Sequence, residues 1–203
     1  GNEIAFGTIG NASCAEGMVW EAINAIGVLH APVLLSIWDD DYGISVHNEQ
    51  QVTKGNLSEL LSGFQRQRGA RTGFDLYTVK AWDYPALVKT FLHAEKIVRE
   101  QHVPAIVHVI EVTQPQGHST SGSHERYKTK ERLEWEQEFD CLKKMREWMI
   151  AEEIASAAQL EAFEQEDQKI VADIRDQAWQ AYLAPILAER KEAAALLETL
   201  AQN

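Results

Sequence analysis

Pro32-Val33-Leu34-Leu35-Ser36-Ile37-Trp38-Asp39-Asp40-Asp41-Tyr42-Gly43-Ile44-Ser45 decides how this chain is read. The first seven residues form an apolar run bounded by proline and by charge, which reads as a buried strand at residues 33–38. Three adjacent carboxylates are delivered to its end, and Gly43 then turns the chain. Ligands of open α/β sheets bind outside the carboxyl ends of strands. Carboxylates there suit a hard cation such as Mg²⁺, which often brings a phosphate with it. An EF-hand does not fit. With Asp39 at position one, Ile44 stands where the loop glycine belongs and Gln50 where the glutamate belongs.

Working outward, the chain alternates between strand-like and helix-like segments. Residues 4–7 are short and apolar, and residues 8–13 are rich in Gly, Asn and Ser, giving a strand then a loop. Met18, Ala22, Ala25 and Ile26 fall at helical spacing within 16–28. Asn56 can cap a helix carrying Leu57, Leu60, Leu61 and Phe64. Residues 65–73 form a basic, glycine-containing loop. Residues 75–79 and 105–112 read as strands, with a helix at 85–101 between them. Four strands alternating with helices imply an α/β fold with a mostly parallel sheet and right-handed crossovers. Residues 113–128 form a long polar loop with two glycines and two histidines, a length that is usually functional or disordered. Beyond it the pattern turns helical and acidic, with 14 acidic residues against six basic ones between 131 and 176. Leu142, Met145 and Met149 share one face, and Ile170, Ile174, Ala178 and Tyr182 another. Pro185 is expected to break that second helix or to open the next one. The expected domains are residues 1–150 and a helical tail or connector at 151–203.

Bulk properties narrow the function. A chain of 203 residues with 45% hydrophobic content suits one domain, or one domain with an appendage. A net charge of −12 argues against a nucleic-acid backbone and against an anionic membrane surface. No apolar run approaches the roughly 20 residues of a membrane span. Cys14 and Cys141 are far apart and lack CxxC spacing, which suits a reducing cytosol. A cytoplasmic location is therefore expected.

Three places can carry chemistry. Gly10-Asn11-Ala12-Ser13 joins the first strand to the first helix, where free N–H groups receive phosphate; the bland alternative is a plain turn. It is neither GxGxxG nor a Walker motif. In a parallel sheet it shares an edge with the aspartates, so Asn11, Asp40 and the Tyr42 carbonyl can face one ion. His118, in Gly117-His118-Ser119-Thr120-Ser121, is either an acid–base or hydrogen-bonding group or a surface histidine. The six tryptophans read as packing residues; Trp20 lies off the main apolar face of its helix. No G-x-S-x-G elbow supports a serine hydrolase.

Taken in order, Gly10-Asn11-Ala12-Ser13-Cys14-Ala15-Glu16-Gly17, Glu21-Ala22-Ile23-Asn24, the stretch 32–45, and His118-Ser119-Thr120-Ser121 with Arg126-Tyr127-Lys128-Thr129-Lys130-Glu131 resemble one family. It is the α subunit of the decarboxylating first component of thiamine-diphosphate-dependent 2-oxoacid dehydrogenases. The resemblance covers residues 4–150 and, more loosely, the helices beyond. It implies a three-layer thiamine-diphosphate-binding fold with a C-terminal helical extension. The HSTS spelling and Ile44-Ser45-Val46 look most like the branched-chain (2-oxoisovalerate) members; pyruvate- and acetoin-type members are the runner-up. A non-catalytic assembly module is the reading from another class.

The resemblance implies roles. Thiamine diphosphate is held by Gly10, Asn11, Ala12, Ser13, Asp40, Tyr42, Ile44 and His118. Mg²⁺ is held by Asn11, Asp40 and the Tyr42 carbonyl, and His118 is the catalytic loop histidine. The chain departs from the family pattern in carrying Asn11 for an aspartate and Asp40 for an asparagine. One carboxylate and one amide remain with exchanged positions, so metal binding is expected to survive. Ala12 replaces a glycine. Asp39 and Asp41 are assigned only to shaping the turn. Ser119 and Ser121 fall where some relatives are phosphorylated. The implied partners are a β subunit or fused β-like domain, a lipoyl-bearing acyltransferase, and a homo- or hetero-oligomeric assembly. The glutamate that activates the cofactor belongs to the β half, so this chain alone is expected to be inactive.

Overall fold

The computed structural model describes residues 1–118 and 124–202. It divides into two compact units, Gly1–Trp148 and Met149–Asn203.

The first unit is built on a parallel sheet of four strands: β1 (Ala5–Gly10), β2 (Val33–Trp38), β5 (Asp75–Lys80) and β6 (Ala105–Ile110). Their order across the sheet is β1-β2-β6-β5. Gly10 pairs with Trp38, and Trp38 with Val109, so the C-terminal ends lie along one edge. The connections are α1 (Gly17–Leu29), α2 (Leu57–Leu61) and α3 (Tyr84–Gln101). Between β2 and α2 a small hairpin, β3 (Tyr42–Gly43) and β4 (Val46–His47), follows the aspartates.

Strand alternation explains the layers. Ile37 and Ile106 face one side and pack with Ile23, Leu57, Leu61 and Phe74. Leu34, Ala105, Val107 and Val109 face the other and pack with Ala94 and Val98 of α3. The expected three-layer α/β arrangement is present. Helix α3 starts where Asp83 accepts the Ala86 N–H at 3.0 Å, with a proline in its first turn. It stops at His102, a left-handed cap with φ 52°. Trp20 packs against Phe64, ring centroids 6.4 Å apart, within the core of its own chain.

After β6 come α4 (Lys130–Glu138) and α5 (Cys141–Ala151). The second unit is dominated by α6 (Ala157–Ala201), opened by a capping box between Ser156 and Gln159. Pro185 neither breaks this helix nor begins another: α6 runs through it. The proline removes one N–H, and the Ala181 carbonyl left without it lies on an exposed turn where water can serve it. Phe163, Ile170, Ile174, Trp179 and Tyr182 are exposed along α6. Among the described residues no helix is long and apolar enough to cross a membrane.

Candidate functional site

The site forms where β1 and β2 leave the sheet together. The Asn11 N–H donates to the Trp38 carbonyl at 3.0 Å, and the Asp39 N–H to the Val109 carbonyl at 2.9 Å. Strand pairing thus carries one step beyond the sheet and brings Asn11 beside the aspartates. Gly10, Asn11, Ala12, Asp40, Tyr42, Ile44 and His118 line one cleft of about 430 Å³, together with Trp38, Gly43, Gln51, Val112 and Gln114. That volume lies in the usual range for small-molecule sites. Ser13 does not join them; it lines a separate apolar groove with Ile9, Met18 and Ile26. Ser119 and Ser121 lie outside the described residues.

The three aspartates have three fates. Asp39 is 5% exposed and is the root of a buried network, not merely a shaper of the turn. Its Oδ1 accepts the Asp41 N–H at 2.8 Å and the Asn48 amide at 2.9 Å. Its Oδ2 lies 2.9 Å from His108 Nε2, and His108 Nδ1 lies 2.6 Å from Ser58 Oγ. Burial alone would raise the Asp39 pKa, but the bonds from His108, the Asp41 N–H and Asn48 outweigh it and hold the carboxyl below the usual aspartate range. An ionised Asp39 only accepts, so His108 donates to it through Nε2, and the Nδ1–Ser58 Oγ contact extends the chain on the other side of the ring.

Asp40 faces the cleft. Burial pushes its pKa up, and the Tyr42 N–H and the Lys128 charge only partly oppose this. Its Oδ1 accepts the Tyr42 N–H at 3.2 Å. Its Oδ2 accepts no hydrogen bond from the described residues. Asp41 turns away to Arg132, whose Nη1 donates to Asp41 Oδ2 at 2.6 Å. Arg132 Nη2 also donates to the Asp40 carbonyl at 2.8 Å.

Backbone strain marks the same turn. Asp41 has φ 69° and Ile44 has φ 59°. Ile44 opens the two-residue hairpin loop, a position where glycine is usual, and a β-branched residue there is an outlier. The exposed Ile44 side chain is thereby held at the lip of the cleft. Gly43 is needed for close approach: a Cβ there would stand 2.9 Å from the Ala12 Cβ.

Sequence reasoning missed two sets of residues. Asn48, 1% exposed, bridges Asp39 to Asn11, whose Nδ2 donates to Asn48 Oδ1 at 2.9 Å and to the Tyr42 carbonyl at 3.0 Å. The second set is a clamp from α4 and the residues just before it. Lys128 Nζ donates to both Glu136 oxygens, at 2.7 and 3.0 Å, and stands 5.0 Å from the Tyr42 ring centre. The Tyr127 ring lies 5.7 Å from the same ring. Thus Tyr127 and Lys128, in the segment that follows Arg126, grip the turn. The only hint in the sequence was that segment's resemblance.

Among the described residues no three His, Cys, Asp or Glu side chains converge as a metal cage. A cation here therefore depends on mixed oxygen donors. The donor set fits one. Asp40 offers a desolvated carboxylate oxygen without a protein donor, and Asn11 offers an amide oxygen likewise without one. The Tyr42 carbonyl already accepts one N–H and keeps a second lone pair. Oxygen ligands of this kind suit Mg²⁺.

Comparison with known proteins agrees with this geometry. A family model described as "Dehydrogenase E1 component" matches residues 1–186. The pyruvate dehydrogenase E1 component subunit alpha of Rickettsia bellii (strain RML369-C) is 26% identical over 175 residues, covering 85% of this chain and 50% of that protein. The same subunit from Rickettsia prowazekii (strain Madrid E) is 25% identical over 170 residues, covering 84% and 49%. The chain spans about half the length of these relatives. A match over most of its residues, on a parallel sheet with the motif loops at one edge, places the chain in the dehydrogenase E1 component family.

Proposed function

We propose that this chain supplies the diphosphate- and metal-binding half of a thiamine-diphosphate-dependent 2-oxoacid dehydrogenase, working in the cytoplasm with a β subunit or β-like domain and a lipoyl-bearing acyltransferase. The observation that carries this reading is the convergence of Gly10, Asn11, Asp40, Tyr42 and His118 on one cleft at the C-terminal edge of the sheet. Mg²⁺ would be held by Asp40, Asn11 and the Tyr42 carbonyl. Gly10 and Ala12 leave room for a diphosphate, and Ile44 stands beside it. When bound, thiamine diphosphate supplies the carbon nucleophile for decarboxylation of a 2-oxo acid. His118 lies where a histidine can donate a hydrogen bond or a proton to the reacting acid. The domain division proposed is residues 1–150 for binding and 151–203 as a tail or connector.

The pyruvate-type relatives favour pyruvate as substrate. Of the two spellings that suggested branched-chain acids, residues 119–121 lie outside the described residues, and Ile44-Ser45-Val46 forms the hairpin turn at the lip of the cleft. Profiling the full-length protein with its partner on pyruvate and on 3-methyl-2-oxobutanoate separates the two. Binding is tested by calorimetry on the full-length protein with thiamine diphosphate and Mg²⁺. The expected result is Mg²⁺-dependent binding that Asp40→Ala abolishes. Unchanged binding in Asp40→Ala would refute the ligand assignment. A melting temperature indifferent to both ligands would favour the non-catalytic assembly module, because a ligand that binds only the native state must stabilise it.

A further inference from the structure

We infer that Asn48 is a positioning residue: it fixes the Asn11 amide so that Asn11 presents oxygen, not nitrogen, to a divalent cation in the cleft. The inference rests on the cofactor reading of that cleft. Hydrogen-bond polarity is set outward from Asp39. A carboxylate only accepts, so the Asn48 amide must turn its nitrogen to Asp39 Oδ1, at 2.9 Å. Its oxygen is then left for Asn11, which must answer with nitrogen, at 2.9 Å. The second hydrogen on the same Asn11 nitrogen goes to the Tyr42 carbonyl at 3.0 Å. Both amide hydrogens are now committed, and the oxygen is the one polar atom of Asn11 left over.

No flip escapes this order. Turning Asn11 sets its oxygen against Asn48 Oδ1 and the Tyr42 carbonyl. Turning Asn48 as well sets its oxygen against the Asp39 carboxylate. Asn11 is 4% exposed and Asn48 1%, so bulk water cannot relieve either clash. The Asn48 backbone is itself pinned. Its N–H donates to the Asp41 carbonyl at 2.8 Å, and its carbonyl accepts from the N–H groups of Gln51 at 3.1 Å and Val52 at 2.8 Å. The Asn48 side chain therefore has one stable orientation, and it dictates that of Asn11.

This makes a counter-intuitive demand. Restoring the aspartate of the family motif by Asn11→Asp adds a negative charge, which charge counting says should tighten Mg²⁺. Here it removes both N–H bonds and drives carboxylate oxygen against two fixed acceptors, so it must weaken the ion. The test uses the full-length protein. Mg²⁺ is titrated calorimetrically in the presence of thiamine diphosphate, and the melting temperature without ligands is recorded alongside. Asn48→Leu and Asn11→Asp are each expected to raise the Mg²⁺ Kd by about tenfold or more, the scale typical of groups that orient metal ligands. A smaller rise for Asn48→Leu, even with a lowered melting temperature, means that Asn48 serves folding only and overturns the inference. Should Asn48→Leu not fold, Asn11→Asp decides alone, and unchanged or tighter Mg²⁺ binding overturns it. Wild-type protein that shows no Mg²⁺-dependent cofactor binding overturns the cofactor reading itself.

Discussion

Removing one member of the Lys128–Glu136 pair should cost far more stability than removing both. The Lys128 side chain is 2% exposed and that of Glu136 is fully buried. With Nζ 2.7 Å from the nearer oxygen, attraction at an effective dielectric of about 20 is on the order of 6 kcal/mol. Desolvating two ions offsets most of that, so the intact pair contributes little net stability. Breaking it from one side is different, because the partner stays buried and charged. Glu136→Leu strands the Lys128 ammonium and should cost about 3–5 kcal/mol. Lys128→Met should fall nearer the lower end, about 3 kcal/mol, because Arg132 Nε still donates to Glu136 at 2.9 Å. The double variant Lys128→Met/Glu136→Leu replaces both charges with apolar groups; Arg132 loses its Nε partner but keeps Asp41, so the double variant should lie within about 1–2 kcal/mol of wild type. Urea unfolding at constant m gives the four free energies and, from the cycle, the coupling between the two sites. The reasoning fails if Lys128→Met costs less than about 1 kcal/mol, or if the double variant loses the sum of the singles.

The neighbouring aspartates should respond to pH in opposite senses. Asp39 has its folded pKa held below the ordinary 3.8, so its stabilisation is complete above that value and is lost as pH falls through the depressed folded pKa. Asp39→Asn should therefore destabilise at neutral pH, with the gap closing in acid; a constant gap in urea unfolding across pH would contradict this. Asp40 has a raised folded pKa, so its ionised form costs stability at any pH above that value and the cost is relieved as pH falls. Asp40→Asn should raise the ligand-free melting temperature at neutral pH while removing the cation carboxylate, and a lowered one would refute the assignment. Burial, then the nearby Asp39 charge, pushes the Cys14 thiol up to about 11, so thiol reagents near neutral pH should leave Cys14 unlabelled until the protein unfolds. Mass spectrometry of the native, labelled protein reads this directly.

How much of this was legible depends on whether the signal was local. Strand β2 was readable at Val33–Trp38 and the start of β6 at Ala105, because buried strands are near-continuous apolar runs bounded by polar residues; the start of the edge strand β5, Asp75, was readable from the short β-prone stretch Leu76-Tyr77-Thr78-Val79. Strand β1 was cut short. Thr8-Ile9-Gly10 looks like loop by composition, yet pairing with Ser36-Ile37-Trp38 keeps it extended. Tertiary pairing overrides strand propensity in such cases. The β3–β4 hairpin left no trace, since Gly43 precedes the loop and Ile44 takes the left-handed position without being glycine.

The aspartate triplet shows the boundary most sharply. Alternation along β2 puts Asp39 on the face of Leu35 and Ile37, and alternation along β6 puts His108 on the face of Ile106; both belong to the same side of the sheet. Their meeting at 2.9 Å follows from parity once the strand order is known. The order is what the sequence withholds, because β6 lies next to β2 only after the chain has passed through β5. Asp40, one residue on, must face the opposite way and so meets the cleft, and Asp41 lies past the strand altogether, free to take a positive φ and pair with Arg132. Three identical side chains thus divide into an anchor, a ligand candidate and an ion-pair partner by position alone. Asn48 has no such rule. It reaches Asp39 across nine residues and Asn11 across 37, through a hairpin whose turn carries no glycine signal, so only the folded chain could reveal it.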